Sequence, residues 1–141
     1  MTDTDITVVD ASVLAKCFLD EPGADAARGE AMASAWIAPD IILIEITSIA
    51  ATTLRRGLIE RDFAAAMVAL SPRLVMEHVP SCELCVSAFS IAADFGFSAY
   101  DATYVALAQA RGTVLLTADV KLVGRAERSG IGQFVRALRL T

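Results

Sequence analysis

Four acidic residues stand at the borders of apolar segments in this chain: Asp10, Glu45, Asp101 and Asp119. Asp10 closes the run Ile6-Thr-Val-Val9 and is followed by Ser12 and a helix-like pattern through Val13, Leu14 and Cys17. Asp119 follows the apolar run ending in Leu115-Leu116-Thr117-Ala118. In an open α/β sheet, ligands bind in the crevice at the carboxyl ends of the strands. Two acids at strand ends and two near helix starts are therefore expected to converge there. Clustered carboxylates repel one another, and a divalent cation reverses that sign. Mg²⁺ takes hard oxygen ligands, usually one or two carboxylates, and keeps waters that a substrate can displace. Such a centre suits phosphodiester hydrolysis, since a metal polarises the phosphoryl oxygen and generates hydroxide from its bound water. No histidine base is needed, which matters in a chain with one histidine.

Each acid also has a plainer explanation. Asp10 and Asp119 could simply cap the helices that follow their strands. Ser98-Ala-Tyr-Asp101 has the form of a capping box, with serine at the cap and the acid three residues on. Glu45 has the weakest local explanation. It stands four residues from both Ile41 and Ile49, on an apolar helix face, where an unpaired carboxylate is expensive. A competing constellation is His78-Val-Pro-Ser-Cys82-Glu-Leu-Cys85. A Cys-x-x-Cys pair opening a helix suggests redox chemistry or soft ligands for zinc. No fourth cysteine or histidine lies near, and the surrounding element order is not that of a thioredoxin. Cys82, Cys85 and Cys17 are therefore expected to act as small hydrophobes. Gly124, Gly130 and Gly132 do not have the spacing of a phosphate-binding loop. A serine nucleophile elbow is also absent.

The elements that must position these acids alternate between strand and helix. The first strand leads into a helix expected to end near Asp20, before Glu21-Pro22-Gly23. An alanine-rich helix over about 24–34 precedes a short strand at Ala35-Trp36-Ile37-Ala38. Pro39-Asp40 is expected to open the next helix, with proline in the first turn, and Gly57 to stop it. Its isoleucines make that helix apolar on most faces and predict burial. A helix over Glu60–Leu70 follows, then a strand from Leu74 running into His78. Pro80-Ser81 should cap a helix over about 82–94, and a further helix covers about 99–111. Thr113–Thr117 reads as a strand, followed by a basic helix to about Ser129 and a last strand within Gln133–Leu138. This alternation predicts a parallel sheet connected by right-handed crossovers.

At 141 residues the chain is expected to form one domain over residues 1–141. Its apolar content is 55% and its mean hydropathy +0.55, high for a globular domain, which predicts an apolar surface covered by a partner. No run reaches the roughly 18 apolar residues of a membrane span. The acidic start MTDTD is unlike a basic secretory signal, and three cysteines do not suggest a disulfide framework, so a reducing cytoplasm is expected. The net charge is −5, but it is unevenly distributed. Residues 1–50 carry a net −7 and residues 111–141 a net +4, which permits a basic rim around an acidic centre. Lys16, Arg125 and Arg128 are the candidates for phosphate contacts.

In their order along the chain, VVDASVLAK with Glu21-Pro22, Pro39 followed by Glu45, YDATYVALA, and LLTAD followed by Lys121-Leu122 resemble the PIN-domain family. The closest likeness is to the VapC-type toxins of bacterial toxin–antitoxin pairs, and it covers nearly the whole chain. The resemblance implies a five-stranded parallel sheet in order 3-2-1-4-5 between helices, with strands 1 and 4 adjacent. It implies that Asp10, Glu45, Asp101 and Asp119 bind metal, supported by the hydroxyls of Ser12 and Thr117. Ser48 stands where the family usually has asparagine, a departure that bears on a supporting residue and not on the ligands. The resemblance further implies Mg²⁺- or Mn²⁺-dependent endoribonuclease activity on RNA, symmetric homodimers, and inhibition by a cognate antitoxin lying in an apolar groove near the first helices. Operator DNA would be reached only through the antitoxin. A housekeeping RNA-processing nuclease and a PIN-fold interaction module without catalysis are the alternatives.

Overall fold

Short apolar runs without charge can be covered on both sides, and β1 (Ile6–Val9) shows the result. Successive strand residues point to opposite faces. Val8 and Val9 are both fully buried, so helices cover the sheet on both faces. The computed structural model describes residues 5–140. The acidic start of the chain therefore lies mostly outside the described residues, which exclude positions 1–4 and 141.

Five parallel strands form one sheet in the order β3-β2-β1-β4-β5, with β2 at Ala35–Pro39, β3 at Val75–Val79, β4 at Leu115–Thr117 and β5 at Val135–Ala137. The parallel α/β architecture and strand order expected from the sequence are both observed. Val8 pairs with Ile37 on one side and with Leu115 on the other. The chain leaves β1 towards β2 and later returns to β4 on the opposite flank, so a crevice opens beyond the ends of β1 and β4.

Seven α-helices connect and cover the described strands: α1 (Ala11–Lys16), α2 (Ala24–Ala33), α3 (Ile42–Arg55), α4 (Arg61–Leu70), α5 (Cys85–Phe95), α6 (Ala99–Arg111) and α7 (Val120–Arg128). Three of them matter most for the crevice. In α3, Ile42, Ile46 and Ala50 recur every four residues and are buried, which sets one face against the core. In α6, residues Ala102–Ala108 are all buried, and the helix packs against β1 and β2. Gly112 ends it at φ 63°, a left-handed conformation that glycine adopts without a Cβ penalty. α7 packs along β4 and β5.

Several expected boundaries move. α1 stops at Lys16 rather than near Asp20, because the Lys16 ammonium reaches forward to Glu21 and the Pro22 carbonyl and fastens the following turn. Pro39 is the last residue of β2, not the opening of α3. It sits opposite Val79, and the next residue, Asp40, donates its N–H to the Val79 carbonyl. Leu74 belongs to a 3₁₀ turn at Ser71–Leu74, leaving β3 to begin at Val75. Ser81 gives its hydroxyl and N–H to the Asp40 carboxylate, and the segment Ser81–Glu83 is a 3₁₀ turn before α5. The last strand into the crevice is shorter than expected, since Thr113 bonds sideways to the Ile6 carbonyl. α3 is buried on one face only: Ile44 is 73% exposed. Cys82 and Cys85 are exposed and are not core residues, whereas Trp36 is fully inside the core.

Candidate metal centre

Asp10, Glu45, Asp101 and Asp119 line one cavity of about 320 Å³, together with Ser12, Ser48 and Tyr104. Each acid arrives there from a different element. Asp10 leaves the end of β1, and its Oδ1 accepts from the Ser12 hydroxyl at 2.6 Å and from the Val13 N–H at 3.1 Å. It is thus a helix cap and a cavity wall at once. Asp119 repeats the pattern after β4, accepting from the N–H groups of Lys121 and Leu122. Asp101 sits in the first turn of α6, fixed by its own N–H donating to Ser98 Oγ at 3.0 Å, the bond a capping box requires. Glu45 sits in the first turn of α3, where its Oε1 accepts from the buried Tyr104 hydroxyl.

Two hydroxyls tie the strand ends together. Ser12 Oγ donates to Asp10 and accepts from the Ala118 N–H at 3.3 Å. Thr117, fully buried, accepts from the Asp119 N–H at 3.0 Å, and its hydroxyl also bonds to Asp10. Both hydroxyls therefore join the Asp10 carboxylate to the backbone at Ala118 and Asp119.

The electrostatics are those of a negative site without an ion pair among the described residues, with Arg125 the one positive charge acting on it. Burial raises the Asp10 carboxyl above the ordinary aspartate value; the bonds from Ser12, Thr117 and Val13 oppose this, and the charge of Asp101 adds to it. Glu45 is also raised, first by burial, with Tyr104 opposing and Asp10 and Asp101 reinforcing. Asp101 is raised by burial and by Asp119, with Ser98 and Arg125 acting the other way. The Tyr104 phenol is pushed well above its usual value by burial and then by Glu45, so it remains a donor.

Among the described residues, no three His, Cys, Asp or Glu side chains are already drawn into a closed metal cage. The carboxylates instead ring an open cavity. That arrangement fits a small hard dication that retains water, and the donor set is all oxygen. The cysteines contribute nothing here, and His78 lies away from the cavity on β3.

The basic candidates divide. Lys16 lies in an adjoining trough, but its ammonium is held by Glu21 at 3.1 Å and by the Pro22 carbonyl at 2.8 Å. Arg125 stands beside Asp101 with its guanidinium 5.8 Å from the Phe97 ring centroid. Arg128, exposed at the end of α7, lines neither the cavity nor the trough. Two residues outside the expected set are found near these acids, Tyr104 in the cavity itself and Arg56 outside it in the neighbouring trough. Tyr104 follows Asp101 by three positions, so both occupy one helix face, and a buried tyrosine needs a partner for its hydroxyl. Arg56 reaches the trough from the end of α3.

The PIN domain family model matches residues 7–127, and the chain belongs to that family. Ribonuclease VapC3 of Pyrobaculum aerophilum is 35% identical over 118 residues, covering 82% of this chain and 90% of the relative. The crystal structure of PAE2754 from Pyrobaculum aerophilum superposes with a TM-score of 0.63 at 22% identity, covering 86% of this chain and 79% of that one, a likeness of fold.

Proposed function

We propose that this protein is a metal-dependent endoribonuclease that hydrolyses RNA phosphodiester bonds, and that it is the toxin of a toxin–antitoxin pair. The observation that carries the reading is the single cavity lined by Asp10, Glu45, Asp101 and Asp119, in which burial and neighbouring acids disfavour the charged forms of Asp10, Glu45 and Asp101. The likeness to a relative named a ribonuclease supports the substrate class.

Asp10 and Asp119 would hold Mg²⁺ or Mn²⁺, with Glu45 and Asp101 completing the shell or orienting the attacking water. Such an ion, when bound, supplies Lewis-acid stabilisation of the phosphoryl group and a water of lowered pKa. The rest is done by the chain. Ser12 and Thr117 hold the Asp10 carboxylate and the backbone that carries Asp119 through the bonds described above. Tyr104 keeps one Glu45 oxygen occupied, leaving the other for the substrate side. Arg125 offers positive charge at the Asp101 rim.

The partner assignments belong to the same reading. An antitoxin segment would lie in the apolar groove of about 460 Å³ between Cys17, Phe18, Met32, Leu70 and Leu74, on the first helices and the end of α4. Exposed Val86 and Phe89 on α5 offer apolar surface for a symmetric homodimer. No described helix is long and apolar enough to cross a membrane, and we place the protein in the cytoplasm.

The test is calorimetry of Mg²⁺ and Mn²⁺ binding with RNA cleavage measured on the same samples. The wild type should bind metal and cut RNA, whereas Asp10→Asn and Asp119→Asn should fold and fail to cut. A wild type that binds neither ion and leaves RNA intact would overturn the reading.

A further inference from the structure

The carboxylate cavity does not end at the acids. Across Ser12, Ser48, Ile49 and Asp119, which line both spaces, it continues into a trough of about 420 Å³. One wall is the exposed side of α3, carrying Ser48, Thr52 and Thr53, and it finishes at Arg56. The facing wall includes Lys16 and Glu21, which neutralise each other at 3.1 Å. Arg56 is different. It is exposed and, unlike Lys16 on the facing wall, makes no ion pair among the described residues. Beyond Asp119, the trough therefore has the single unbalanced positive charge of Arg56 at its far end.

We propose that this trough carries the RNA strand away from the cleavage centre and that Arg56 holds the phosphate of a nucleotide other than the one being cut. The proposal rests on the ribonuclease reading and adds a direction to it. Glu45 and Arg56 lie eleven positions apart along α3, about 16 Å between their backbone positions at the helical rise, a span longer than one phosphate. A guanidinium is suited to a phosphodiester because its fork matches two anionic oxygens. The volume is on the scale of a small ligand, which suits a nucleotide unit of a strand lying along the trough. No aromatic side chain lines the trough, so nothing there stacks on a base. Contact through phosphate alone positions a strand without reading its sequence.

The experiment compares Arg56→Ala, Arg56→Lys and wild type on a dinucleotide and on a longer single-stranded oligoribonucleotide, with Mg²⁺ present. Arg56→Ala should lower kcat/KM on the longer strand by about 3- to 10-fold, through KM, and leave the dinucleotide unchanged. Arg56→Lys should recover most of the loss. In the Asp10→Asn background, where the strand stays intact, removing Arg56 should reduce the slope of log affinity against log salt by about 0.7. Equal losses on both substrates, or no loss on either while the wild type cuts RNA, would overturn the assignment and leave the nuclease reading in place. A wild type that neither cuts nor binds RNA would remove both. Competition by poly-glutamate as effective as competition by RNA would give the trough to an acidic peptide instead.

Discussion

Two sets of carboxylates in this molecule meet opposite fates. Glu30 on α2 and Glu77 on β3 are each gripped by an arginine fork: Arg136 reaches Glu30 at 2.9 and 3.0 Å, and Arg111 reaches Glu77 through both nitrogens. Those bonds, ahead of any other cause, hold both acids below the ordinary glutamate value. Asp10, Glu45 and Asp101 are shifted the other way, because burial acts on them first and neighbouring acids add to it, outweighing the hydrogen bonds they accept and the more distant charge of Arg125. The chain has arginines and uses them to neutralise acids elsewhere, but no salt bridge among the described residues involves the four acids of the cavity. Structural acids are compensated within the fold. The cavity acids have no such ion pair within the described residues.

The largest break of that contrast is at Asp10 or Asp119. Losing several kcal/mol of charge stabilisation in the transition state corresponds to about 1,000-fold in rate, and each Asp→Asn change should lower RNA cleavage by that order. Tyr104→Phe should come next. It keeps the ring in the core but removes the donor to Glu45. Loss of an outer partner of this kind typically costs about 10- to 100-fold in metal affinity or activity. Calorimetry with Mg²⁺ and circular dichroism on the same sample distinguish a displaced Glu45 from a damaged fold. An unchanged metal affinity would show that Tyr104 only fills space.

The pH dependence of stability sharpens the same contrast, and the two sets carry opposite signs. Asp10, Glu45 and Asp101 have folded values raised above their unfolded ones, so the folded state holds protons more readily. In metal-free protein, their contribution therefore makes stability fall as pH rises from the ordinary carboxylate range through the raised values. Glu30 has a lowered folded value, so its contribution is present above the ordinary glutamate range and is lost as pH falls. Thermal melts in EDTA should show the first trend flattened by Glu45→Gln or Asp101→Asn, each variant melting higher than wild type near neutral pH. Added Mg²⁺ should remove that advantage, since protons and the cation compete for the same oxygens. Variants that melt lower than wild type in EDTA would mean the acids are already compensated.

The sequence made the sheet and the four acids legible for one reason: each acid ends or begins an apolar run, and short buried strands announce themselves. Asp10 and Asp119 also show why a local explanation does not compete with a functional one. Both really are caps, and the same carboxylates line the cavity. What the sequence concealed depends on distant partners. Asp40 follows a strand just as Asp10 does, yet it faces solvent and bonds to Ser81, because β2 is not at the switch point. Lys16 looked available until the turn at Glu21-Pro22 folded back upon it. Tyr104 was within reach, one helical turn from Asp101, whereas its partner Glu45 lies 59 residues away and only packing brings them together. Cys82 and Cys85 carry a helix-face spacing, but Cys82 falls in a 3₁₀ turn, where that spacing no longer selects the core face.

The smallest effect is expected on the paired side of the comparison. Arg136→Ala removes a two-pronged contact joining β5, at the sheet edge, to α2. The Arg136 and Glu30 side chains are 44% and 27% exposed, so water screens much of the attraction. Exposed pairs of this kind contribute about 0–1 kcal/mol, and denaturant melts should place the variant within that range of wild type. The difference should shrink in high salt, as Debye screening shortens the reach of the pair. Cleavage of RNA should be unchanged, because neither residue lines the cavity or the trough. A loss of activity in Arg136→Ala comparable to that in Tyr104→Phe, with stability preserved, would erase the boundary between the two sets of acids. An effect confined to stability would leave the boundary where burial and pairing draw it, between acids gripped by an arginine at the surface and acids gathered unpaired in the cavity.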